Sequence, residues 1–151
     1  MKTRMAVARF IEAIVTSAQW SQAMKWRRRQ DYAREAAILE HVVDSRPTPL
    51  HLAALGAAYF MMGKKEKAAP LFRQAVAAGE RAQSDNGKYI NAYCRVFLSI
   101  FEDVGVLNDR LDEARSIQCS RHFKEWLTLP PGYFQPKSRE RKARRQTPDD
   151  A

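Results

Sequence analysis

Histidine and cysteine are scarce in this chain, at 3 and 2 in 151 residues. Two widely spaced cysteines, Cys94 and Cys119, make no disulfide framework. Free thiols in a reducing, cytoplasmic setting are the expectation. His41, His51 and His122 are scattered, and no serine sits on a sharp glycine elbow, so no nucleophilic triad suggests itself. Cys119 and His122 could face one ion from a helix, but no second Cys/His pair completes a four-ligand zinc site. The 6 glycines form no phosphate loop. Adjacent carboxylates such as Asp31 with Glu35, Glu102 with Asp103 and Asp112 with Glu113 read as solvated helix faces. We therefore expect no catalytic residue, metal or cofactor. No apolar run approaches the roughly 20 residues that span a bilayer, so no transmembrane segment is expected. The opening MKTRMAVARFIEAIVTSAQW starts basic and turns apolar. Arg9 and Glu12 interrupt it and no small-residue cleavage site follows, which reads against a targeting peptide.

What remains is an ordinary globular composition, 45% apolar and 28% charged, of a length that suits one domain. The net charge is +9 and the pI about 9.9. That balance favours acidic partners, whether protein, nucleic acid or anionic membrane.

The apolar residues are strongly periodic. Ala68, Leu71, Phe72, Ala75 and Val76 follow i, i+3, i+4, i+7, i+8, one face of a helix. Leu52, Leu55, Gly56, Tyr59 and Phe60 repeat that spacing upstream. Gly63 and the charged KKEK lie between, with Gly63 placed to end the first helix in a left-handed conformation. Pro70 is tolerated only near the start of the second. Counting Pro49 as position 1, Leu55 is 7, Gly56 is 8, Tyr59 is 11, Gly63 is 15, Ala68 is 20, Phe72 is 24 and Ala75 is 27. This unit resembles the tetratricopeptide repeat, a 34-residue helical hairpin with small residues at 8 and 20 and large ones at 11 and 24.

A single unit cannot bury its own face, and about three are needed. Upstream, with Pro47 at position 32, Ala23 falls at 8, Trp26 at 11, Leu39 at 24 and Val42 at 27. Position 20 is Glu35 instead of a small residue, so the register either holds with a departure or slips by one to Ala36. Downstream, residues 85–104 read as one long helix and 108–127 as another, capped by Asn108 or Asp109, together a degenerate third hairpin. The expectation is an all-α fold: antiparallel hairpins over residues 16–130 stacked as a short α-solenoid. Residues 1–15 form an extra amphipathic helix. TSAQ at 16–19 either opens a new helix or lies within one long helix. Residues 131–151, charged and without large apolar anchors beyond LPPGYFQP, are expected to be a disordered basic tail.

The resemblance also implies a function and a surface. Such arrays are protein-interaction modules, and their first helices line a concave groove. Carried over by position, the groove would hold Trp20, Met24, Arg27 and Arg28 with Ser17 from the first unit. The second unit would add Leu50, Ala53, Ala57, Phe60 and Met61, and the third Asn91 and Arg95 with Ser84, Gly87 and Cys94. The implied activity is non-enzymatic: an adaptor or chaperone holding a peptide with apolar anchors and acidic residues. The Lys and Asn that clamp chaperone C-termini in one subfamily are replaced by Trp20, Met24 and Ala54. The alternative is a nucleic-acid-associated protein using Lys25, Arg27, Arg28 and Arg29 beside Trp26, together with the basic tail.

Overall fold

The computed structural model describes residues 2–81, 83–118 and Leu127. These residues contain six α-helices and no strand. They are α1 (Lys2–Arg28), α2 (Tyr32–Ser45), α3 (Pro49–Met61), α4 (Lys65–Gly79), α5 (Asp85–Glu102) and α6 (Leu107–Ser116). A 3₁₀ turn, Val104–Val106, leads into α6. Each helix packs on its chain neighbours, and α3 also meets α5. Links of a few residues between packed helices make consecutive helices antiparallel.

Local chemistry sets the boundaries. Asp31 accepts from Arg34 N–H at 3.2 Å to start α2. Thr48 accepts from His51 N–H at 3.3 Å, with Pro49 in the first turn of α3, where its missing N–H costs nothing. Ser84 accepts from Gly87 N–H at 3.1 Å to start α5, so these two residues form a helix cap. Pro70 lies in the second turn of α4 on its exposed side, where only the bond to the Glu66 carbonyl is given up.

The two hairpin turns are alike. Gly63 has φ +77, Lys64 N–H reaches the Tyr59 carbonyl at 2.9 Å, and Gly63 N–H reaches that of Phe60 at 3.0 Å. In the first hairpin Gln30 has φ +58, Asp31 N–H reaches Trp26 at 3.0 Å, and Gln30 N–H reaches Arg27 at 2.9 Å. Both are the double-bonded left-handed helix terminus. Gln30 occupies the place of Gly63, position 15 of its own unit, without the residue type that makes the place visible in sequence.

The core runs through both hairpins and α5. Ala23, Leu39, Val42, Ala68 and Phe72 are fully buried, and Ala75 almost so. At Gly56 α3 and α4 approach so closely that a Cβ would lie 3.0 Å from the Phe72 ring. Phe97 of α5 stacks on Phe72 at 4.6 Å and meets Tyr93 edge-on at 4.9 Å. Leu127 is also buried in this cluster, its carbonyl accepting from the Tyr89 hydroxyl at 2.9 Å. A smaller cluster of Ala92, Val96, Leu111 and Ala114 joins α5 to α6.

Three sequence expectations are corrected or resolved. The break at residues 16–19 does not occur; Thr16 is buried inside one continuous α1. Of the two candidates for the small-residue place, both Glu35 and Ala36 are buried, and it is Glu35, fully shielded, that meets Arg27 of α1. The helix expected over 108–127 ends at Ser116, and neither Asn108 nor Asp109 caps it. Asp103 accepts from Gly105 N–H at 3.0 Å, which sets a 3₁₀ turn that feeds α6 one residue before Asn108. Cys119, His122 and the tail at 131–151 lie outside the described residues.

Candidate functional site

The expected apolar groove wall is not on the surface. Ala53, Ala57 and Phe60 are 0%, 4% and 4% exposed, and Met24 is buried with them. Phe60 packs edge-on against Phe97 at 4.9 Å and Phe101 at 5.9 Å. The cause is the composition of α3. From Leu52 to Phe60 it carries no charge, and all nine residues are buried. A helix apolar all round is stable only when covered on every side. Leu50 and Met61, at the ends of α3, are half-buried. Trp20 is half-buried beside the His51 ring at 5.3 Å. His51 Nδ1 lies 2.8 Å from the Arg46 carbonyl, and burial pushes the imidazole pKa down.

Arg27 is turned inward. Its Nε donates to Glu35 Oε1 at 2.6 Å and an Nη to the Ala54 carbonyl at 3.1 Å. It ties α1 to α2 and α3 and does not line a groove as its position implied. Burial raises the Glu35 pKa to about 6, against the opposing pull of the Arg27 charge and hydrogen bond. Arg28 is exposed.

α5 presents the remaining pair together. Lys88, Asn91, Ala92 and Arg95 are spaced i, i+3, i+4, i+7 and line one cleft of about 370 Å³. Glu80, Glu113 and Ile117 complete it. Arg95 also lines a smaller neighbouring cleft of about 160 Å³, with Ser99, Glu102 and Arg110. Two of the nearby carboxylates are engaged: Glu113 with Arg110 at 3.2 Å and Glu102 with Arg73 at 2.9 Å. Lys88 and Arg95 make no ion pair among the described residues. Asn91 donates to the Gly79 carbonyl at 3.4 Å, while its Oδ1 is buried without a partner among the described residues. The cleft thus combines two cations without an ion pair among the described residues, an amide and the apolar Ala92 and Ile117.

No family model matches the chain, and no curated protein or solved structure does.

Lys88 escaped sequence reasoning, which followed repeat positions instead of the face of α5. Its spacing from Asn91 and Arg95 was the available signal. Cys94, placed in the groove by position, is fully buried, and burial pushes its thiol pKa up, which keeps the sulfur protonated and unreactive. Among the described residues no group of three or more His, Cys, Asp or Glu could hold a metal.

A second basic cluster surrounds Trp26, which is half-buried outside the core. Arg34, Arg29 and Lys25 lie 4.5, 5.4 and 6.0 Å from its ring centroid. Tyr59, the corresponding residue of the second hairpin, is instead buried. Its hydroxyl donates to the Glu40 carboxylate, and burial with that contact pushes the phenol up to about 12.

Proposed function

We propose that this protein is a short tetratricopeptide-like array of helical hairpins, acting as a non-enzymatic binding module, an adaptor or chaperone, for an acidic peptide segment. The array reading is supported by the matched turns at Gln30 and Gly63 and by the close approach at Gly56. The observation that carries the binding reading is the α5 cleft, where Lys88 and Arg95 stand without ion pairs among the described residues, beside Asn91. A peptide carboxylate would pair with Arg95, whose planar fork suits bidentate recognition. Lys88 would add charge at the rim. Ala92 and Ile117 would take one small apolar side chain.

The test is direct binding of fluorescent peptides that pair Asp or Glu with an apolar residue, against scrambled neutral peptides. Arg95→Glu with Lys88→Glu should abolish binding, while Arg28→Glu should leave it within about twofold. A second reading rests on the cations around Trp26, which resemble a stacking platform for single-stranded nucleic acid. If single-stranded RNA binds with a steep salt dependence that Arg29→Glu with Arg34→Glu removes, and acidic peptides do not bind, the second reading replaces the first.

A further inference from the structure

Among the described residues, the first half of α1 is an amphipathic helix with no packing partner. α1 has 27 residues and its partner α2 has 14, so the antiparallel pair leaves the beginning of α1 standing beyond the hairpin. Thr16 is the first buried residue along it. Before that point Met5, Val7, Phe10, Ile11, Ile14 and Val15 are between 50% and 68% exposed. Isolated exposed apolar residues need no explanation, but a contiguous set does.

The set is ordered. Val7, Phe10, Ile11 and Ile14 follow i, i+3, i+4, i+7, a single stripe. Thr16, Trp20, Ala23 and Arg27, which face the hairpin, point roughly 150° away from that stripe around the helix. None of the described helices can therefore cover it by lying where the bundle already lies. Arg4 flanks the stripe, while Lys2, Arg9 and Glu12 lie on the far face of the helix. A covering surface must be apolar, and a negative one suits Arg4 and the chain's net charge of +9.

We propose that this helix lies on an anionic lipid bilayer, with Val7, Phe10, Ile11 and Ile14 in the headgroup–acyl boundary. A basic amphipathic helix in the plane of the interface uses this chemistry: apolar burial plus attraction to acidic headgroups. Arg4, at the edge of the stripe, has a stem long enough to reach the headgroups while its apolar neighbours insert. The stripe does not cross the bilayer; no described helix is long and apolar enough for that. A second copy fits less well. It would bring two copies of net charge +9 together, and a stable interface needs about 20–30 residues a side, where the stripe offers four large ones.

The test is co-sedimentation of the full chain with vesicles of phosphatidylcholine alone and of phosphatidylcholine mixed with phosphatidylserine. Binding should appear with the mixed vesicles and fall at least about tenfold for Phe10→Ser with Ile14→Ser, which changes no charge. Because both side chains are exposed, thermal stability and helical content should stay as in the parent, which separates loss of binding from loss of fold. Equal binding by parent and variant would mean that general basicity, not the stripe, holds the lipid, and would overturn the proposal. So would absence of vesicle binding, with or without a dimer in sedimentation that the same variant abolishes.

Discussion

The buried Arg27–Glu35 pair gives a sharp test of the packing argument, because its two members fail differently. Glu35 is fully buried and the Arg27 side chain is 11% exposed. Glu35→Ala leaves a guanidinium that cannot shed its proton in an apolar setting, and should cost about 3–5 kcal/mol. Arg27→Met leaves a carboxyl that can take up a proton. Its pKa is already raised to about 6 with Arg27 present, and without that charge it rises further. At pH 7 the added electrostatic loss is then limited to about 1.4 kcal/mol, plus about 1–2 kcal/mol for the lost hydrogen bonds. The corresponding residues of the second hairpin are Phe60 and Ala68, an apolar solution to the same contact. Arg27→Met with Glu35→Ala should therefore be no worse than the milder single change, because an ion pair replaced by apolar packing is near neutral. Urea unfolding of the four proteins at pH 7 gives the coupling, expected to be at least about 2 kcal/mol. Additive single losses, within about 0.5 kcal/mol, would show that the pair does not act as a unit and refute the reasoning.

The same carboxyl makes stability depend on pH. Its folded pKa of about 6 lies above the ordinary 4.5, so the folded state holds the proton more tightly. This contribution is complete below pH 4.5 and is lost as pH rises to about 6, a decline of about 2 kcal/mol that Glu35→Gln should remove from the difference between the two unfolding curves. Gly56→Leu should cost about 1–3 kcal/mol or more, since even a Cβ would sit 3.0 Å from Phe72; an unchanged melting temperature would contradict the close approach. Gln30→Gly should stabilise by up to about 1 kcal/mol and Gly63→Ala destabilise by a similar amount, read as shifts in urea midpoint, because both positions have positive φ. Tyr89→Phe should cost about 1 kcal/mol in the same assay by leaving the buried Leu127 carbonyl unpaired.

The helical class and the hairpin turn at Gly63 were legible because each rests on a local rule: period and left-handed backbone. The faces were less legible. Assigning Ala53, Ala57 and Phe60 to a groove assumed that one side of α3 stays wet, although LAALGAAYF offers water nothing polar. That composition was the signal of a helix enclosed on every side. Arg27 misled for a different reason. A cation on a first helix reads as surface until its counter-ion is found, and Glu35 lies in the next helix, where it looked like a defect in the repeat. The two anomalies explain each other. Lys88 was missed because repeat positions were followed where the spacing on α5 mattered.

The enclosure of α3 bears on how the molecule comes apart. In an open array each hairpin can peel away at little cost to the rest, since contacts reach only the adjacent unit. Here α3 touches α2, α4 and α5, and Arg27 of α1 bonds to its backbone. Detaching any neighbour would wet a helix that has no polar face to offer. The backbone amides of Leu55–Tyr59 should therefore exchange with solvent only when the whole molecule opens, while those of Met5–Ile14 exchange through fraying alone. The chain would then melt as one cooperative body instead of unit by unit.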